Sequence, residues 1–174
     1  MSWQQELESL ETAKRWRDAV TVLQKSIALY PDDVELYVHA IYLLLNLLLE
    51  EDYSAFKLEH DNLAALLKEY FDDSYEKFNG NACYLFFVGY FSGLAEWYFG
   101  QEDLSLSHQM LKKAKEIEPD NPLYQWAYKF VIGDEEARQL CKQIASNMAL
   151  MSWLESKGSP GQYLTAVIKS SCGF

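Results

Sequence analysis

Apolar residues recur at three- and four-residue steps through most of the chain and nowhere alternate for long with a period of two. The clearest run is 34–49, where Leu36, Tyr37, Ala40, Leu43, Leu44 and Leu47 form a helical stripe behind an Asp33 cap. Glu50-Glu51-Asp52 breaks it, and Phe56, Leu63, Leu66, Leu67 and Tyr70 predict the next helix near 54–71. Residues 72–81 read as a connector ending in the turn signal Asn79-Gly80-Asn81. An 18-residue apolar run, 82–99, predicts a central helix that ends at Gly100. Asp103 caps a helix running to Glu118. Beyond Pro119, Asn121-Pro122 starts a shorter helix that Gly133-Asp134 closes. Long helices are then expected near 135–156 and from Ser159-Pro160 to about Ser171. With two more near 2–13 and 16–29, the pattern predicts about nine helices, no strands and one all-α domain over 1–174.

Within this pattern, Phe91, Leu94, Ala95, Tyr98, Ser107, Leu111, Ala114 and Pro119 stand at spacings of 3, 1, 3, 9, 4, 3 and 5. That ladder resembles the tetratricopeptide (TPR) repeat, a 34-residue pair of helices packed closely through small residues. A less complete copy lies upstream in Trp3, Leu10, Ala19, Leu23, Ser26 and Pro31, although Glu6 and Leu7 depart from the usual pair. Pro31 and Pro119 are 88 residues apart, which is not a multiple of 34, so the middle reads as a degenerate or expanded insertion. The resemblance implies TPR-like helix hairpins in a short, irregular superhelix, with Ala95 and Ser107 at the close contact of a hairpin over 88–118. It also implies a concave groove. Its lining would include Gln4, Glu8 and Glu11, then Glu35, Val38, Tyr42 and Leu45, then Gly89, Ser92, Glu96, Phe99 and Gly100, and finally Leu123, Trp126 and Phe130. None of these is Lys or Arg, so an acidic and aromatic groove would suit a cationic or amphipathic protein segment. A well-packed neighbouring helix filling part of that groove is the competing expectation.

Charge sharpens the picture. The formal net charge is −11, which disfavours nucleic acid as a partner. Residues 1–81 carry 16 acidic against 7 basic side chains, and residues 82–174 carry 10 against 8. The steepest stretch, 50–76, includes Glu50, Glu51, Asp72 and Asp73. It reads either as a solvated acidic face or as a docking surface for a basic partner.

Candidate chemistry is sparse. His39, His60 and His108 fall on different predicted helices, and none has a metal-ligand spacing. No nucleophile elbow, phosphate loop or dinucleotide fingerprint is present, so neither a catalytic site, a cofactor nor a metal is expected. Cys83, Cys141 and Cys172 are odd in number and far apart, which argues against a disulfide and for a reducing, cytoplasmic setting. No signal peptide is expected, because the N-terminus lacks a basic region followed by an apolar core. The 82–99 run is long enough to span a membrane, but Glu96 interrupts it and a buried helix is the better reading.

These features converge on a protein-binding module rather than an enzyme. In size and acidity the chain is similar to bacterial immunity proteins, the cytosolic antidotes that bind and neutralise toxin domains, many of them basic nucleases. Opposite net charge would speed that capture. A small acidic TPR-type secretion chaperone and a general TPR adaptor are the alternatives. The expected partner surface comprises Glu8, Glu11, Glu35, Tyr42, Glu50, Glu51, Asp72, Asp73, Glu96, Phe99 and Trp126.

Overall fold

A computed structural model describes residues 2–49 and 59–172, and every described element is helical. The helices are α1 (Trp3–Thr12), α2 (Trp16–Leu29), α3 (Val34–Leu49), α4 (His60–Phe78), α5 (Ala82–Ser92), α6 (Ser105–Ile117), α7 (Pro122–Val131), α8 (Glu136–Ala145), α9 (Met148–Glu155) and α10 (Gly158–Cys172). A 3-10 turn, Glu96–Phe99, separates α5 from α6. The protein is all-α. Local sequence sets most of the starts. Ser2 and Gln5 form a capping box on α1, Asn81 accepts from the Tyr84 amide at 2.9 Å, and Asn121 caps α7 with Pro122 behind it.

Three boundaries differ from the sequence expectation, each for a local reason. The described part of the helix expected near 54–71 starts at His60 and runs on through the supposed connector to Phe78. Phe71 and Ser74 bury a face there, while Lys68–Asp72 and Asp73–Lys77 pair across single turns on the outer face. The central run stops at Ser92 rather than Phe99. Past Gly93 the chain turns and the 3-10 segment sets Phe99 edge-on against Phe71, with ring centroids 5.1 Å apart. The long helix expected over 135–156 is two helices, because the Asn147 side chain takes the amides of Ala149 and Leu150 and so begins α9.

Pairs of helices that follow one another in the chain pack together, α1 with α2, α3 with α4, α5 with α6 and α7 with α8. Helix α5 lies in the centre, buried from Tyr84 to Ser92 and therefore apolar all round. The close approach of α5 to α6 is made by Gly89 and Gly93, not by Ala95. Ser107 Oγ donates to the Gly89 carbonyl at 2.6 Å, and a Cβ at Gly93 would lie 2.7 Å from the same Oγ. Ala95 is buried but falls after the helix break. Of the ladder's second half, Ser107, Leu111 and Ala114 all face the core from α6.

Helix α10 ties the two ends of the chain together. It packs on α8 and α9 and also reaches α1 and α3. Its Tyr163 ring meets Tyr42 at 5.8 Å, Phe91 at 6.1 Å and Tyr90 at 6.5 Å. At the α9–α10 corner Gly161 comes so near α9 that a Cβ would lie 1.7 Å from the Leu154 carbonyl oxygen. Cys141 on α8 and Cys172 on α10 form a disulfide, with Cα atoms 5.8 Å apart. The expectation of unpaired cysteines is thus overturned: packing of α10 on α8 closes a sequence gap of 31 residues. The cysteine argument for a reducing compartment goes with it. Among the described residues, no helix is long and apolar enough to cross a membrane.

Candidate functional site: an acidic cleft at the α1–α10 seam

Gln4, Glu8 and Glu11 stand at four- and three-residue steps, which puts them on one face of α1. That face looks across a cleft of about 500 Å³ at Glu35 and His39 of α3 and at the α9–α10 turn, residues 155–159. Four residues expected in the groove, Gln4, Glu8, Glu11 and Glu35, are therefore brought together. The far wall was not foreseen. Lys157 pairs with Glu35 across 122 residues of sequence, and the Ser159 hydroxyl donates to the Glu11 carboxylate.

Burial governs the electrostatics. Desolvation pushes the Glu11 carboxyl above its ordinary value; the Ser159 hydrogen bond opposes this and the nearby Glu8 charge adds to it. His39 is 8% exposed, and burial holds its imidazole below the usual histidine range, against the raising effects of the Glu35 carbonyl and the Glu35 and Asp33 charges. Its Nδ1 lies 2.8 Å from the Glu35 carbonyl oxygen, which makes Nδ1 the protonated nitrogen of a neutral ring, and Trp3 packs edge-on at 5.1 Å. Lys157 is the one cation lining the cleft among the described residues, and Glu35 occupies it. Glu8 and Glu11 have no cationic partner there. The cleft is lined mainly by acidic and neutral polar groups, with Lys157 already engaged.

A pH dependence follows. His39 takes up a proton on unfolding wherever the pH lies below 6.5 but above its lowered native value. Its contribution to stability is thus complete above 6.5 and is lost as pH falls through the native value. Glu11 acts in the opposite sense: its raised native value means that stability is lost as pH rises through it. Between about pH 7 and pH 5, His39→Gln should flatten the acid-side fall in stability, whose slope cannot exceed ~1.4 kcal/mol per pH unit for one proton. Denaturant titrations at several pH values measure it; identical slopes in the variant and the parent would contradict the buried neutral imidazole.

The remaining expected site residues are scattered. Tyr42 is half-buried against Phe91 and Tyr163. Phe99 and Trp126 are both 0% exposed, so the core, not a surface, claims them. Asp72 is paired with Lys68, and Asp73 with Lys77 and the Tyr37 hydroxyl, so neither presents an unopposed charge. Glu96 sits half-buried on the 3-10 turn and lines no part of the cleft. Glu50 and Glu51 lie outside the described residues. Val38 and Leu45 of the expected groove are buried in the core. Burial pushes the free Cys83 thiol up to about 11, which leaves it protonated and a poor nucleophile at neutral pH. Among the described residues, no three His, Cys, Asp or Glu side chains gather where they could hold a metal ion.

No protein-family model matches this chain, and no curated protein or solved structure matches it.

Proposed function

We propose that this protein is an immunity-type antidote that captures a basic toxin domain, with the cleft between α1, α3 and the α9–α10 turn receiving a cationic side chain of that partner. The observation that carries the reading is the pair of carboxylates, Glu8 and Glu11, left without a cation in a cleft of a protein already at −11. Desolvation of Glu11 makes that position costly to leave ionised alone, and an incoming ammonium or guanidinium relieves it. The long-range field then supplies fast association.

The seating of Tyr163 of α10 on Tyr42 of α3, at one of the expected groove positions, supports a folded partner rather than an extended one. A chaperone that cradles a long unfolded segment needs that face open. The antidote reading therefore stands ahead of the secretion-chaperone reading, and a general adaptor has no specific observation in its favour.

The test is co-expression with a candidate basic toxin domain, followed by Glu8→Lys and Glu11→Lys together. Cells carrying the parent protein should survive. The double variant should keep its fold and bind at least about a hundredfold more weakly, as expected for reversing two charges at a close pair. Its salt dependence should also shrink. An unchanged affinity in the double variant would remove the cleft from the interface, and toxicity in the presence of abundant parent protein would remove the antidote reading itself.

A further inference from the structure

The Cys141–Cys172 bridge joins α8 to α10, and its two ends are unequally exposed. Cys141 lies within α8 and is 1% exposed; with Ala137 and Ile144 it makes the buried face of that helix. Cys172 is the last residue of α10 and is only partly covered. Of the two, Cys172 is the one that solvent reaches.

Position along α10 decides what the bridge holds. Leu164, Thr165 and Ile168 anchor the helix in the core. Past Ile168 the chain comes to the surface, with Lys169 and Ser170 exposed. Lys169 makes a surface pair with Glu155 at 3.8 Å, and such pairs hold a helix end weakly. The bridge is therefore the main fastening of the last turn. That turn also supplies Ser171 to the wall of a cavity of about 700 Å³, which Phe130 of α7 and Ala137 of α8 line as well.

The interior accommodates the open form. Cys141 Sγ lies 3.1 Å from the Ile168 carbonyl oxygen, so a free thiol there has an acceptor and leaves no buried donor unpaired. Cys83 does not compete as a nucleophile, because burial keeps its thiol protonated. Exchange at the bridge thus calls for a thiol from outside the chain.

We propose that the bridge is a reversible thiol-exchange site, entered at Cys172, whose opening frees the last turn of α10 and leaves the rest of the helix docked. The co-reactant is a small thiol. Its thiolate attacks Cys172 Sγ and forms a mixed disulfide there; the Sγ–Sγ bond breaks and its electron pair leaves on Cys141. The Cys141 thiolate takes up a proton from water, and the resulting thiol donates to the Ile168 carbonyl. A second small thiolate attacks the small-thiol sulfur of the adduct and releases Cys172. Two small thiols are oxidised to one disulfide, and the bridge is reduced to two thiols. None of this depends on the antidote reading, since the bridge and the acidic cleft lie at opposite ends of α10.

The probe is glutathione, in mixtures of its reduced and oxidised forms, with the adduct located by peptide mass. At intermediate ratios the adduct should sit on Cys172. Cys141→Ser should take up glutathione at least about tenfold faster than Cys172→Ser, because access separates the two sulfurs. In the fully reduced chain, amide resonances at 169–172 should move to unstructured positions while those of 158–165 stay in place. Free thiols at both positions in excess oxidised glutathione, an adduct first on Cys141, or equal rates in the two variants would each overturn the proposal. So would a reduced chain whose resonances move throughout α10 or nowhere in it.

Discussion

Gly161→Ala should cost about 3 kcal/mol of stability or more, the largest effect expected of a methyl group added at any described glycine. Overpacking is usually cheaper, because a flexible neighbour can swing aside. Here the obstacle is backbone: the new Cβ would meet the Leu154 carbonyl oxygen at 1.7 Å and its carbon at 2.8 Å. Relief requires α9 and α10 to separate, and α10 is the helix that buries Leu164 and Ile168 and seats Tyr163 on Tyr42 and Phe91. Gly80→Ala provides the control, since nothing lies within 4 Å of a Cβ there. It should change stability by no more than about 1 kcal/mol, with a gain from the stiffer unfolded chain. Denaturation midpoints of the two variants decide the matter. Equal midpoints would mean that the α9–α10 corner is not packed as described. Because the same corner carries Lys157 and Ser159 to the acidic cleft, Gly161→Ala should also disturb the Lys157–Glu35 and Ser159–Glu11 contacts there.

The all-α class was legible because helical periodicity depends on local spacing alone. The 34–49 stripe and the caps at Ser2, Asn81 and Asn121 need no knowledge of the fold. Boundaries failed where two local signals competed. Across 72–78 the acidic residues looked like a connector, but Lys68 and Lys77 pair with Asp72 and Asp73 within the helix and make it a stable outer face. In 82–99 the mostly apolar run hid the end at Ser92, since a helix buried on every side has no stripe whose loss would mark its end. The disulfide was illegible for a different reason. Only the packing of α10 on α8 brings Cys141 to Cys172, and no spacing rule carries that information.

The cleft was half legible. Its α1 wall follows from the register of Gln4, Glu8 and Glu11, which the helical period fixes. Its other wall comes from 155–159, where the sequence reads only as the end of one helix and, at Ser159-Pro160, the start of the next. Sequence also cannot distinguish an aromatic residue that faces a groove from one that faces the core, because both occupy the same apolar stripe. Phe99 and Trp126 fell on the core side of that ambiguity, and Tyr42 came under Tyr163.

Trp126 turns that ambiguity into a measurement. As an exposed central anchor it would lose partner affinity on truncation and leave stability intact. As a wholly buried ring packed against both Tyr90 and Phe130, its replacement by alanine should instead cost about 3–5 kcal/mol of stability. Partner affinity, measured where the variant is still folded, should change little. Trp126→Phe separates volume from polarity. It leaves a small void but also deletes the indole N–H that has no acceptor, and that group alone costs about 1–3 kcal/mol while unpaired. The two terms oppose each other, so the phenylalanine variant should fall within about 1.5 kcal/mol of the parent and far above the alanine variant. Thermal and denaturant unfolding of the pair give the answer. A Trp126→Ala protein that unfolds with the parent while binding its partner more weakly would return this side chain to the surface. A phenylalanine variant as unstable as the alanine one would show that the indole nitrogen is bonded after all.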